Sequence, residues 1–137
     1  MIRRRLVAVN RVNSTAGCPA GTDRKGENMK DGFIKVSAAT PDVRVGDCEY
    51  NADEIIRMVY EMEEQRAKVM VFPELCITSY SCGDLFWQET LLNEAKVQLM
   101  RIAKETEAVD GLIFVGLPLE YNGKLYNVAA GLNHGEI

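Results

Sequence analysis

The sequence has one histidine, four cysteines and no Cys-x-x-Cys pair among its 137 residues. Closely spaced zinc ligands and compact disulfide frameworks are therefore not expected, and we predict that the cysteines are reduced thiols. The two common glycine-rich phosphate loops are also absent, which argues against a flavodoxin-like nucleotide binder. No apolar run approaches the roughly 18 residues of a membrane span. We expect a cytoplasmic protein with no membrane contact and no cofactor or metal of its own.

Charge is distributed unevenly along the chain. Residues 1–28 carry six Lys or Arg against two Asp or Glu, whereas residues 29–137 carry ten against eighteen. Such an acidic body argues against a nucleic-acid partner, because phosphate neutralisation supplies most of the affinity in such complexes. Residues 10–32 have too few apolar side chains to offset ordering entropy. We predict that residues 1–28 form a disordered or extraneous basic extension and that the folded portion spans residues 29–137.

From Phe33 onward, the hydrophobic pattern predicts alternating strands and helices. Apolar residues alternate with polar or small ones over 34–39, and an amphipathic helix follows Asn51, with Glu54 completing a start that resembles a capping box. A second helix is predicted over 88–109. The continuous apolar runs 69–72 and 112–115 are typical of strands buried on both faces. Strands that alternate with helices in this way indicate an α/β fold.

Two turns are predicted near the C-terminal end. Asn122-Gly123, between short strand-like segments, is typical of a type I′ hairpin. The strand-like residues 125–132 then lead into a turn over 133–136. A strand whose partner is missing leaves an unpaired edge, which complete domains usually cover or shorten. We therefore expect these residues to be part of a larger domain.

Glu74 is the candidate catalytic residue. It follows Phe72-Pro73 at the C-terminal end of a predicted strand, and ligands of α/β sheets bind at that edge. The following segment, 75–87, is apolar and aromatic, and such surroundings favour a protonated carboxyl group, as suits a general base. The residues alone also fit, and by position favour, a carboxylate that caps a helix or pairs with an arginine at the surface.

Other residues with reactive or charged side chains are expected to have ordinary roles. Cys76 and Cys82 flank the same loop, but no histidine lies near them in sequence to activate either thiol, so both are expected to be buried. Asp84 is expected to accept a hydrogen bond in a turn. Lys124 and His134 are expected to face solvent.

Several segments resemble the nitrilase-like carbon–nitrogen hydrolase superfamily. V-M-V-F-P-E-L at 69–75, followed by T-S-Y at 78–80, is similar to its first motif, a strand ending in F-P-E-L and then T-G-Y. The segments C-G-D-L-F at 82–86, V-G-L-P at 115–118 and L-Y-N-V-A-A at 125–130 resemble the glutamine-hydrolysing domains of bacterial glutamine-dependent NAD synthetases. The resemblance covers about residues 29–137, and the order and spacing of the motifs make it specific.

The resemblance implies an αββα sandwich, here incomplete, and a Glu-Lys-Cys triad. In that triad, cysteine attacks the amide carbon, glutamate is the general base and lysine supports the oxyanion. Glu74 matches the glutamate. The lysine and cysteine positions fall beyond Ile137, so Lys124 does not match the lysine and neither loop cysteine matches the nucleophile. Ser79 stands where the motif has glycine.

The resemblance also implies a substrate and partners. Glutamine would be hydrolysed, and a second domain, absent here, would use the ammonia with ATP and Mg to convert deamido-NAD into NAD. Full-length relatives are expected to be homo-oligomers. Because two triad residues are missing, we expect this chain alone to be inactive. Two alternatives stay open: another carbon–nitrogen hydrolase (amidase, carbamoylase or nitrilase), against which C-G-D-L-F argues, and a non-catalytic α/β module that binds a partner chain.

Overall fold

A computed structural model describes the backbone of residues 5–13 and the whole of residues 33–137. Residues 1–4 and 14–32, which include most of the predicted extension and Cys18, lie outside the described residues. The strands are β1 (Arg5–Asn13), β2 (Phe33–Thr40), β3 (Val69–Val71), β4 (Leu112–Tyr121) and β5 (Lys124–Leu132). The helices are α1 (Cys48–Glu64) and α2 (Glu89–Glu105), and a 3₁₀ turn, Gly83–Trp87, precedes α2.

The strands form one mixed sheet in the order β1-β2-β3-β4-β5. Strands β2, β3 and β4 are parallel neighbours, and α1 and α2 are the crossovers that parallel pairing requires. Strand β5 returns antiparallel to β4 through a tight turn. The predicted α/β class is confirmed.

Strand β1 runs antiparallel to β2, from Arg5 opposite Thr40 to Asn13 opposite Phe33, with an irregularity between Val9 and Val12. The structure here differs from the expectation that residues 1–28 lie outside the fold. The outer edge of β2 offers unpaired backbone groups, and the segment L-V-A-V at 6–9 favours extended backbone, so a further strand pairs along that edge.

Both helices contribute to one hydrophobic core with one face of the sheet. Met70, Ile113 and Val115 point into this core and are at most 1% exposed. Their neighbours on the opposite face are more open: Val71 is 42% exposed and Leu112 37%. The prediction that β3 and β4 are buried on both faces is therefore wrong, because residues 33–137 leave one face of these strands partly open. An apolar run shows that both sides can be buried but not what covers them.

Helix α1 begins at Cys48, ahead of the predicted start at Asn51. Asp47 is the N-cap, and its Oδ1 accepts a hydrogen bond from the Tyr50 backbone N–H at 3.2 Å. The predicted capping box is therefore wrong. Asp47 and Asn51 are both suitable caps by residue type, and the hydrogen bonds of the buried Asn51 side chain to other segments decide between them.

The two turns near the C-terminal end are confirmed. Asn122 and Gly123 have φ values of 52° and 69°, as a type I′ turn requires. The backbones of Asn133 and Glu136 exchange two hydrogen bonds, each of 3.0 Å. Helix α2 ends at Glu105 rather than near 109. Within the part of the chain that the structure describes, neither helix is long and apolar enough to cross a membrane.

Candidate functional site

Glu74 lies just beyond β3, at the carboxyl end of the parallel strands. The Phe72 N–H donates to the Phe114 carbonyl at 3.0 Å, which extends the β3–β4 pairing by one residue, and Pro73 then ends it because it has no N–H to donate. The Glu74 side chain is exposed. Its position at the sheet edge agrees with the sequence prediction, but the apolar loop does not enclose it as expected.

The backbone at Glu74 passes directly over Gly116 of β4. A Cβ atom at Gly116 would lie 2.6 Å from the Leu75 nitrogen, 2.7 Å from the Pro73 carbonyl oxygen and 2.9 Å from the Glu74 Cα. The Ile77 N–H donates to the Gly116 carbonyl at 3.3 Å. The absence of a side chain at Gly116 therefore lets the loop rest on the strand.

Asn51 joins this loop to the one that follows β2. Its side chain is fully buried in α1, and its Oδ1 accepts from the Arg44 N–H at 2.7 Å. Its Nδ2 donates to the Arg44 and Ile77 carbonyls, each at 2.8 Å. The Gly46 N–H also donates to the Thr78 carbonyl at 2.9 Å. These bonds hold the two loops together at the carboxyl edge of the sheet.

Two buried residues of the loop have left-handed backbone conformations. Leu75 has a φ of 52° and Ser79 a φ of 77°. Such conformations cost roughly 1–2 kcal/mol for a residue with a side chain, whereas glycine adopts them freely. Ser79 is the residue that replaces the glycine of T-G-Y, so this departure from the motif places strain five residues after Glu74.

Asn127 of β5 contacts Glu74 directly: its Nδ2 donates a hydrogen bond to Glu74 Oε1. Glu74 caps neither helix, since the caps are Asp47 and Gln88. Within residues 33–137, Glu74 forms no ion pair with an arginine or lysine. Within residues 33–137, Glu74 is therefore neither a helix cap nor the ion-pair partner of an arginine.

The cysteines near the loop are buried. Burial raises the pKa of the Cys76 thiol to about 11. Burial, followed by the Glu94 carboxylate, raises the pKa of Cys48 to about 12, and burial also raises the pKa of Cys82. Such thiols are protonated at neutral pH and are weak nucleophiles. This agrees with the expectation that neither loop cysteine is the nucleophile.

The other charged or titratable residues singled out from the sequence lie at the surface. Asp84, Lys124 and His134 are all exposed, and no group of His, Cys, Asp or Glu side chains in the described ranges is suited to hold a metal ion. A cleft of about 390 Å³ lies between α2 and the β4–β5 hairpin, with Trp87 and Lys96 among its lining residues. Glu74 does not line this cleft, so the candidate site consists of the contacts around Glu74 itself.

Gly116 and Asn127 lie in the V-G-L-P and L-Y-N-V-A-A segments that carry the family resemblance, but the sequence analysis assigns neither of them to the site. A glycine inside a strand indicates a close backbone approach, and this signal was available for Gly116. The resemblance marks the segment of Asn127 but not its contact with Glu74, which spans 53 residues of sequence.

Comparison with known proteins gives consistent matches. Residues 35–137 match the family model described as Carbon-nitrogen hydrolase. The glutamine-dependent NAD(+) synthetase of Mycobacterium tuberculosis is 30% identical over 106 residues, which cover 77% of this chain and 16% of that protein. The protein of the same name from Aquifex aeolicus is 32% identical over 105 residues, which cover 77% of this chain and 18% of that protein.

Solved structures also match three quarters of this chain. A glutamine-dependent NAD(+) synthetase from Cytophaga hutchinsonii superposes with a TM-score of 0.70 at 28% identity, covering 75% of this chain and 17% of that one. An amidase from Nesterenkonia sp. superposes with a TM-score of 0.63 at 22% identity, covering 75% of this chain and 40% of the amidase, and this shows a shared fold. The chain thus spans less than a fifth of the length of the synthetases that it matches.

Proposed function

Because this chain belongs to the carbon–nitrogen hydrolase family, as the match over residues 35–137 shows, we propose that Glu74 is the general base for hydrolysis of the glutamine side-chain amide. The observation that carries the proposal is the placement of Glu74. Its carboxylate lies at the carboxyl edge of the parallel strands, exposed to an incoming group, with one oxygen bonded to Asn127. A general base must be within reach of the proton that it removes, and the exposed carboxylate is open to a thiol brought by another segment.

In the proposed reaction, Glu74 takes the proton of a cysteine thiol and the sulfur attacks the amide carbon. The proton then passes to the amide nitrogen, which leaves as ammonia, and a thioester remains. Glu74 next takes a proton from water, whose oxygen attacks the thioester, so that glutamate and the free thiol are released. A lysine supports the oxyanion in both steps. We propose that this cysteine and lysine come from outside residues 1–137.

The relatives support glutamine as the substrate. The chain is 30–32% identical to proteins named glutamine-dependent NAD(+) synthetase, whereas the match to the amidase from Nesterenkonia sp. is at 22% identity and concerns the fold. We further propose that the ammonia serves ATP-dependent NAD synthesis from deamido-NAD in the cytoplasm. A second domain, with its own ATP and Mg, would perform that step within a homo-oligomer. The amide hydrolysis itself needs no cofactor.

An exchange of segments tests the proposal. Residues 35–137 would replace the matching segment of the Mycobacterium tuberculosis relative, and NAD formation would be measured with glutamine and, separately, with ammonium as the nitrogen donor. Glu74→Gln should lower the glutamine-dependent rate by about 100-fold or more and leave the ammonium-dependent rate unchanged. Asp84→Asn, an exposed carboxylate of the same loop, should leave both rates unchanged. An equal loss of both rates, or of neither, with Glu74→Gln would contradict the proposal.

The chain alone provides a second test. Residues 1–137 supplied with glutamine should release no ammonia above the rate of a blank, because the thiols of residues 33–137 are buried and their pKa values are raised. Ammonia release by this chain that is abolished by a thiol-blocking reagent would contradict the assignment of the nucleophile to another segment.

A further inference from the structure

The hydrogen bond between Asn127 and Glu74 joins two segments whose backbones are already fixed relative to each other. The Glu74 backbone rests on Gly116, and Gly116 pairs with Ala129 in the β4–β5 ladder. Asn127 lies two residues before Ala129 on the same strand, opposite Pro118. One ladder therefore supports both the backbone that carries the carboxylate and the amide that bonds to it.

We propose that Asn127 is a positioning residue that orients the Glu74 carboxylate for proton transfer, a role that rests on the proposed function of Glu74. An exposed glutamate side chain ordinarily exchanges among several rotamers. Donation from Asn127 Nδ2 to Oε1 selects one of them and leaves Oε2 as the oxygen free to take a proton. Catalytic groups need this restriction, because small errors of placement slow a reaction substantially.

The surroundings indicate that the bond serves orientation rather than folding. Glu74 and Asn127 are both exposed, so neither polar group would be left buried and unsatisfied if the other were removed. Hydrogen bonds between exposed side chains add little to the free energy of unfolding. The pairing of β5 with β4 is made by the backbone from Tyr121–Lys124 to Ile113–Leu132 and does not depend on the Asn127 amide.

Nuclear magnetic resonance of the full 137-residue chain at fixed neutral pH tests the proposal. In the wild type, the three-bond couplings of Glu74 should show one χ1 rotamer favoured over the others, and the Asn127 amide protons should show a nuclear Overhauser contact with the Glu74 side chain. In Asn127→Ala, the Glu74 couplings should become rotamer-averaged. Asn93→Ala, an exposed asparagine of α2, is the matched control and should leave them unchanged.

The reciprocal variant, in which Glu74 is replaced, tests whether the change is confined to the two residues that share the hydrogen bond. Glu74→Ala should shift the Asn127 side-chain amide signals and leave those of Asn93 unmoved, whereas Asp84→Ala should leave the Asn127 signals in place. Backbone spectra and unfolding temperatures of all four variants should match the wild type, which a structural role for the bond would not allow. Rotamer-averaged Glu74 couplings in the wild type, or couplings unaffected by Asn127→Ala, would overturn the proposal. No step of this test involves glutamine hydrolysis, so its outcome is independent of the catalytic role proposed for Glu74.

Discussion

The Cα atom of Glu74 lies 2.9 Å from the point that a Cβ atom would occupy on Gly116. Glu74 lies just beyond β3 and Gly116 lies in β4, so the two residues meet where the chain leaves β3 and turns across β4. The candidate base is therefore placed by backbone packing as well as by its side-chain hydrogen bond.

Gly116→Ala should destabilise the fold and displace the Glu74 loop. The added methyl group would lie 2.6 Å from the Leu75 nitrogen and 2.7 Å from the Pro73 carbonyl oxygen, both backbone atoms that a side-chain rotation cannot move away. We expect a loss of about 1–3 kcal/mol in the free energy of unfolding, measured by urea titration. Gly131→Ala is the control, since its nearest neighbour would be a Phe114 ring carbon at 3.4 Å. Equal losses in the two variants would contradict the close packing at Gly116.

Ser79→Gly should stabilise the protein. Glycine adopts a φ of 77° without steric cost, and this relief exceeds the extra entropy that glycine loses on folding. We expect a gain of about 0.5–1 kcal/mol in the free energy of unfolding. Ser81→Gly, in the same loop at a residue without positive φ, should give no gain. A loss of stability in Ser79→Gly would show that the serine conformation is not strained.

Asn51→Ala should destabilise the protein more than the removal of three side-chain atoms would suggest. The substitution leaves the Arg44 N–H and the Arg44 and Ile77 carbonyls without their side-chain partner. We expect a loss of at least about 2 kcal/mol in the free energy of unfolding. Asn93→Ala, at an exposed position of α2, should change it by less than about 0.5 kcal/mol. A small effect of Asn51→Ala would mean that the two loops are held together by other contacts.

The Cys76 thiol should resist alkylation in the native protein. Its pKa lies near 11 instead of the ordinary 9.0 because the group is buried, so little thiolate forms at about pH 8. Peptide mass spectrometry after brief iodoacetamide treatment should find Cys76 largely unmodified in buffer and largely modified in urea. Rapid labelling in buffer would contradict its burial.

The same shift contributes to the pH dependence of stability, together with the raised pKa values of Cys48 and Cys82. A thiol whose folded pKa exceeds its unfolded value binds its proton more tightly when folded. Its contribution is therefore complete below the unfolded value and is lost as pH rises through the folded one. For Cys76 the free energy of unfolding should begin to fall above about pH 9 and continue to fall up to about pH 11. Cys76→Ala should reduce this fall, whereas an unchanged pH dependence would assign it to other groups.

Local sequence patterns predict the fold correctly where a pattern is compatible with only one structure. Asn122-Gly123 predicts its turn because few other pairs accept two positive φ values in succession. The spacing of Asn51 and Glu54 predicts a capping box at Asn51, whereas the N-cap is Asp47, a residue of similar capping chemistry. The Asn51 side chain bonds instead to Arg44 and Ile77, and the contact with Ile77 spans 26 residues of sequence, so no local pattern contains it.

One part of the candidate site, the position of Glu74, could be predicted from the sequence. Glu74 could be placed because Pro73 ends an apolar strand and the motif around it resembles a known family. Its exposure could not be predicted, since the apolar side chains that follow it in sequence turn into the core under the loop; Ile77, for example, is fully buried. Asn127 reaches Glu74 only through the register of the β4–β5 hairpin, which a pattern of single residues does not specify.

The position of Gly116 beneath the turn at Glu74 makes this turn depend on a strand that is synthesised later. Strand β3 emerges early, but its C-terminal turn has nothing to rest on until β4 has been synthesised, and Asn127 follows Glu74 by 53 residues. A contact of that sequence separation closes a long loop, and the entropic cost of closing a loop grows with its length. A nascent chain thus contains Glu74 well before Asn127, whose side chain bonds to its carboxylate, has been synthesised.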